Sequence, residues 1–148
     1  MTLLPVLAAA GLLFAADPYA DAIAPSTTAV VQNGANALGA PDGEFATVSG
    51  NANSHVVFDL GAGEEGTGDL LVHFHGFDLA VQTTVEFLDG AGQRVSTAPL
   101  GMIGLGAHTA TVPNPSAAPY RFVRIRAGFV LNPLQFGVDA IQATNSAG

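Results

Sequence analysis

After Ala22 the chain alternates short runs of β-branched and aromatic residues with clusters of Gly, Pro, Asn and Asp, at intervals of roughly ten residues. That rhythm limits the fold more than any single motif does. The runs are too short for helices, and each can bury only one face. Two sheets packed against each other are the solution, so the expected class is an all-β sandwich. "SHVVFDL" shows the pattern most cleanly. Val56, Phe58 and Leu60 point one way, and His55, Val57 and Asp59 point the other. "TTVEFLDG" turns Val85 and Phe87 inward and Glu86 outward, and its Asp89-Gly90 pair suits the positive φ of a hairpin turn. "YRFVRIRA" sets Val123 and Ile125 against Arg124 and Arg126, and "FGVDAIQA" supplies a closing strand. Eight strands are expected near 27–33, 44–49, 54–60, 69–75, 83–89, 93–98, 107–112 and 120–126, with a ninth near 136–144.

The 148 residues suit one domain, and a hydrophobic content of 49% is enough for a core. Charged residues make up only 11%, so the surface must be built from small polar residues and backbone, or be covered by a neighbour. Twelve acids stand against four arginines and no lysine, for a net charge of −8. Nucleic-acid binding needs a basic stripe, and Arg94, Arg121, Arg124 and Arg126 are too few to form one along the sequence. The same balance speaks against anionic membrane surfaces as partners of the β-domain. With no cysteine, disulfide scaffolds, thiol catalysis and Cys-type zinc sites are excluded.

The apolar run from Leu3 to Ala16, followed by Ala20-Asp21-Ala22, has the form of a secretory signal with a cut after Ala22. The expected division is therefore 1–22 as a signal peptide or retained apolar anchor, and 23–148 as the sandwich domain. The expected location is extracytoplasmic: secreted, on a cell surface or on a virion.

The order "ALGAPDGEFATVSG", "HVVFDLG", "GDLLVHFHG", "VEFLDGAGQRV", "YRFVRIRA", "FGVDAIQA" resembles secreted bacterial domains of the discoidin or galactose-binding-like jelly-roll group. The resemblance covers about residues 28–144 and implies a jelly-roll β-sandwich. It also implies a structural Ca²⁺ between the first loop and the last strand, with carboxylates from Asp42 and Asp139 and further oxygens near Asn36 and Gly39. Calcium takes six to eight oxygens, which a Gly/Pro loop can present. The alternative is a plain turn, with φ fixed at Pro41, positive φ at Gly43 and local bonding by Asp42. The chain departs from the group's pattern at Gly137 and Gln142, and it has no Trp.

"VHFHG" places His73 and His75 on one face of a strand, where they could serve a metal if a third ligand converged, or simply face solvent. Together with Arg124 and Arg126 they form the expected set for bonding sugar hydroxyls. "GEEGTGD" is an acidic Gly-rich loop without the Lys of a phosphate cradle. No G-x-S-x-G or H-E-x-x-H motif is present, so no enzyme is expected. Two stretches expected as loops are apolar, "APLGMIGLGAH" with Met102, Ile103 and Leu105, and "AGFVLNPLQFG" with Phe129, Val130 and Leu131. Such residues either fold over the sandwich ends or form contact patches. The leading functional expectation is a non-catalytic structural, assembly or adhesion subunit that contacts itself or another surface protein. A Ca²⁺-stabilised carbohydrate-binding module is the alternative.

Overall fold

The alternation becomes two five-stranded antiparallel sheets packed face to face. A computed structural model describes residues 17–50, 53–77, 80–116, 118–127 and 134–144. Sheet I has the order β1 (Ala22–Ile23), β4 (His55–Asp59), β9 (Phe122–Arg126), β6 (Ala80–Leu88), β7 (Arg94–Ile103). Sheet II has the order β2 (Val30–Gln32), β3 (Ala46–Gly50), β10 (Leu134–Ala143), β5 (Leu70–Gly76), β8 (Gly106–Val112). The one helical element among the described residues is a 3₁₀ turn, Gly34–Ala37. The expected jelly-roll β-sandwich is therefore the observed fold. Phe129, Val130 and Leu131 lie outside the described residues, as do residues 1–16 of the apolar N-terminal segment.

Sheet I sends Val56, Phe58, Val85, Phe87, Val123 and Ile125 inward, and sheet II answers with Val48, Val72, Phe74, Phe136, Val138 and Ile141. Each such side chain contributes about 1.5–3 kcal/mol on burial. Tyr120 is also fully buried. Its ring meets Phe87 edge-on at 4.7 Å, its hydroxyl donates to the Gly68 carbonyl at 3.0 Å, and burial pushes its pKa up. Thr83, the one buried polar side chain among the described residues, donates to the Arg126 carbonyl at 2.7 Å.

Three local expectations are corrected. First, the strand expected at 93–98 runs on through Ile103, so "APLGM" is strand and not loop. Leu100 and Met102 alternate inward along it and are buried. Pro99 is tolerated because β7 lies at the sheet margin, where a missing N–H breaks no ladder. Second, the positive φ of the β6–β7 turn falls on Gly92 (81°) and not on Gly90. Asp89 closes that turn by accepting the Ala91 and Gln93 amides on Oδ1, both at 2.9 Å. Third, a tenth strand was missed. β1 is only two residues long and pairs with β4 through Ala22–Asp59 and Ile23–Phe58.

The segment before β1 spans both sheets. Tyr19 bridges Gln142 of sheet II, the Ala20 amide donates to the Ile141 carbonyl, and the Asp21 amide donates to the Asp59 carbonyl of sheet I. Ala20 itself is fully buried. A cut after Ala22 would remove these links and leave Ile23 alone at the margin of sheet I. The Asp21 carboxyl converges with that of Glu64 over Gly61, where a Cβ would lie 2.7 Å from Asp21 Oδ2 and 2.5 Å from Glu64 Oε1. Desolvation, then the hydrogen bond and charge of Glu64, then Asp17, push the Asp21 pKa from 3.8 up to about 7.

The "LGAPDG" loop joins the two ends of the domain. Gly39 and Gly43 adopt positive φ (78° and 90°), which favours glycine at both positions. Asp139 of β10 accepts the Asp42 amide on Oδ1 at 3.0 Å and the Gly43 amide on Oδ2 at 2.9 Å. The Asp42 carboxylate accepts the Glu44 amide at 2.9 Å, a local turn. Asn36 Nδ2 donates to the Phe45 carbonyl at 3.3 Å, and the Gly39 backbone amide donates to the Ala20 carbonyl at 3.0 Å. As arranged, this set does not suit a calcium ion. The groups aimed at Asp139 are N–H donors, whose positive ends stand on the side a cation would approach.

Asp139→Ala is expected to lower unfolding stability by about 1–3 kcal/mol, because two loop amides lose a charged acceptor. Asp139→Asn, which keeps one acceptor oxygen, should lose less, and urea unfolding of both variants checks the order. A pH series tests Asp21. The folded state holds a proton that the unfolded state releases near 3.8, so the contribution of Asp21 is full below that value and lost as pH rises through about 7. Melting temperature should therefore fall across that window, and Asp21→Asn should flatten the fall.

Candidate functional site

The outward residues of three neighbouring strands of sheet I meet in one cleft. β4 pairs with β9 in the register His55–Arg126 and Val57–Arg124, and β9 pairs with β6 through Arg124–Glu86. Because outward residues in a ladder lie side by side, the His55–Arg126 and Arg124–Glu86 pairs form two neighbouring rows of one polar patch. With Asn53 and Ser54 they line an open cleft of about 300 Å³.

Glu86 organises the patch. Its Oε1 accepts Arg124 Nε at 2.6 Å, and its Oε2 accepts Arg94 NH1 at 3.2 Å. Burial works against the Glu86 charge, but Arg124 and then Arg94 outweigh it and hold the carboxyl below the usual range. The His55 ring sits 3.2 Å from the Ser26 carbonyl through Nε2. Along the same face, Arg121 grips Asp59 with two parallel bonds, Nε to Oδ1 at 2.8 Å and NH2 to Oδ2 at 3.1 Å. Hydrogen bonding from Arg121 holds the Asp59 carboxyl below its usual range against burial, with help from the Gly61 amide. The Arg121 guanidinium also lies 4.9 Å from the centre of the Phe122 ring.

A second cleft of about 310 Å³ adjoins the first and shares Arg124 with it. Val57, Leu88 and Phe122 give it an apolar floor, and the Gly90-Ala91-Gly92 turn forms one wall.

The sequence-derived sugar-bonding set is split by the fold. Arg124 and Arg126 are on β9 of sheet I, whereas His73 and His75 are on β5 of sheet II and face away from the opposite side of the sandwich. They cannot line one site. His55 occupies the place expected of them, and it was missed because sequence spacing does not say that β4 lies beside β9.

On sheet II, His73 is held between Thr109 Oγ1 at 3.0 Å and Gln142 Oε1 at 2.9 Å. The His75 ring stacks on Phe45 at 4.3 Å, nearly parallel, and Phe77 stands edge-on to Phe45 at 5.6 Å. Gly137 provides the seat for this stack, since a Cβ there would lie 2.5 Å from the Phe45 ring. No three His, Asp or Glu side chains gather at metal-ligating distance among the described residues. Of the expected contact residues, Ile103 and Leu105 flank the Gly104 turn and are exposed, but Met102 is core.

The sequence matches no family model and no curated protein. Solved structures do resemble the fold. One is a mutant of the lectin binding domain of Lectinolysin complexed with Lewis b, with a TM-score of 0.53 and 17% identity over 80% of this chain and 94% of that one. Two others are mutants of a family 29 carbohydrate-binding module. Both have a TM-score of 0.51, at 7% identity over 86% of this chain and 83% of that one, and at 8% over 88% and 90%. At such identities the likeness is one of fold.

The Glu86 row makes a graded prediction about stability. Glu86→Gln should cost about 1–3 kcal/mol, because Arg124 loses a charged acceptor in a partly buried place. Arg94→Gln should cost less than about 0.5 kcal/mol, since the Arg94 side chain is 60% exposed and its pair is screened by water. Denaturant titration of both variants reads the difference.

Proposed function

We propose that the chain is a non-catalytic carbohydrate-binding module that takes a saccharide in the cleft on the outer face of sheet I. One observation carries this reading: His55, Glu86, Arg124 and Arg126 converge with Asn53 and Ser54 on three adjacent strands. A sugar presents hydroxyls that both donate and accept, and this patch offers one carboxylate, Glu86, beside guanidinium donors at fixed spacing. Strands hold the groups in place, so little ordering is needed when a ligand arrives. The volume is at the small end of the range for ligand sites, as suits a saccharide of one or a few units. The adjoining floor of Val57, Leu88 and Phe122 offers apolar surface to the C–H face of a further ring. Solved relatives in fold include a lectin domain complexed with Lewis b and a carbohydrate-binding module, and both favour this reading over a structural subunit.

The same groups argue against hydrolysis. A glycosidase needs a carboxylic acid that keeps its proton near neutral pH. Glu86 and Asp59, the two carboxylates of this face, are both held below their usual range by arginine. An extracytoplasmic location, expected from the Leu3–Ala16 run, suits such a module.

The test is retention on a panel of immobilised polysaccharides, followed by calorimetry on the best binder. Arg124→Ala and His55→Ala should each weaken binding by about tenfold or more while circular dichroism stays unchanged. Retention by no saccharide, or affinity that survives Arg124→Ala, would remove the proposal.

A further inference from the structure

We propose that the outer face of sheet II is a second ligand-binding surface, which takes an uncharged saccharide against the rings of Phe45, His75 and Phe77. It does not depend on the sheet I cleft. The strands of sheet II are almost free of charge. Across β2, β3, β10, β5 and β8 the one Asp, Glu, Lys or Arg is Asp139, and its carboxylate is taken by the Asp42 and Gly43 amides. All four arginines of the chain lie in the strands of sheet I or next to them. One cross-strand row runs from β2 to β8 through Gln32, Thr47, Gly137, His75 and Ala107. Gly137 stands at its centre without a side chain, and the Phe45 ring takes up the space a Cβ would fill. The His75 ring lies parallel to that of Phe45 at 4.3 Å, and the Phe77 ring is 5.6 Å from both. Phe77 is 38% exposed, so the group offers an aromatic ring to solvent. Beside the rings, the Gln32, Thr47 and Ser49 side chains enter none of the hydrogen bonds found among the described residues. His73 does not belong to this set, because Thr109 and Gln142 hold it.

A sugar ring has apolar C–H faces and a rim of hydroxyls. An exposed aromatic ring suits the first. Amide and hydroxyl side chains both donate and accept, which suits the second. The strands fix the spacing of these groups, so little ordering is needed on binding. Charge then decides the class of sugar. Asp42 and Glu44, just ahead of Phe45 in the chain, are exposed, and no arginine stands on this sheet to answer an anion. An anionic sugar would meet acids at the rim and find no cationic partner. An uncharged sugar meets neutral groups across the face, and no strand charge has to be desolvated. A second copy of the chain is the other occupant that a charge-free face admits. It fits less well, because contacts between copies are more apolar than a row of Gln, Thr, Gly and His.

The experiment is calorimetry with three neutral polymers (dextran, laminarin and soluble starch) and with anionic polygalacturonate. Arg124→Ala disables the sheet I cleft and so isolates sheet II. On that protein at least one neutral polymer is expected to bind, with little response to sodium chloride. Adding Phe77→Ala should weaken the binding about fivefold, and adding Phe77→Tyr should preserve it. Adding Gln32→Ala with Thr47→Ala should weaken it about tenfold. All of these side chains are at least partly exposed, and circular dichroism should stay unchanged. Repeating the Arg124→Ala comparison on Phe77→Ala protein tests the sheet I cleft separately. Binding that disappears with Arg124→Ala and ignores Phe77→Ala overturns the inference and leaves the sheet I reading standing. Polygalacturonate held through Phe77 as tightly as the neutral polymers overturns the uncharged class. A wild-type dimer in light scattering that Phe77→Ala turns monomeric, with no polymer bound on sheet II, assigns the face to a second copy and overturns the inference. Binding to no polymer at all overturns both readings.

Discussion

One inserted residue in β10 keeps sheet II facing the right way. Phe136 and Val138 point inward before Asp139, and Ile141 and Ala143 point inward after it. Strict alternation would have sent Ile141 and Ala143 to solvent, because side chains change face at every residue. The bulge between Val138 and Ala140 absorbs the mismatch. β10 lies at the centre of sheet II, between β3 and β5, so both neighbours depend on that correction. The bulged residue is not idle. Freed from the ladder, the Asp139 side chain reaches the amides of the "LGAPDG" loop and fastens a segment almost a hundred residues earlier in the chain.

Sheet I shows the complementary arrangement, in which regular pairing itself builds the site. β4, β9 and β6 come from distant parts of the sequence, yet their registers set the His55–Arg126 and Arg124–Glu86 pairs side by side on one face. Glu86 sits between two guanidiniums and fixes the direction of Arg124. Its inward neighbours Val85 and Phe87 are fully buried, which holds the strand beneath it. The core thus pins the backbone, and the backbone pins the polar groups.

Much of this was readable from sequence, and the failures have specific causes. The facing of Val56, Phe58, Val123, Ile125, Val85 and Phe87 followed from period-two alternation, and nearly every strand lies close to its expected position. Alternation failed at β7, where the apolar cluster of Leu100 and Met102 beside Pro99 and Gly101 looked like a loop because both breakers favour turns. A marginal strand tolerates them. The two residues of β1 were invisible because a pairing that short leaves no periodic trace. For the site, sequence found Arg124 and Arg126 but joined them to His73 and His75. Each pair was correctly placed on an outward face, but nothing along the chain says which sheet a strand enters. Strand neighbourhood is decided by long-range packing, and His55 could be chosen only once β4 was known to lie beside β9. The gathering of all four arginines was hidden for the same reason.

The margins of the two sheets also bear on what happens when two copies of the molecule meet. An incoming strand needs a row of open backbone donors and acceptors on which to add. β1 offers two residues and β2 offers three. At the other side, Pro99 takes a donor out of β7, and β7 passes through the Gly104 turn directly into β8, so that the two strands lie against each other. At the margin of β1 and β2, strand addition has little to start from. On the proposed reading, copies brought close together would keep their separate folds and leave each cleft open to its own stretch of a saccharide.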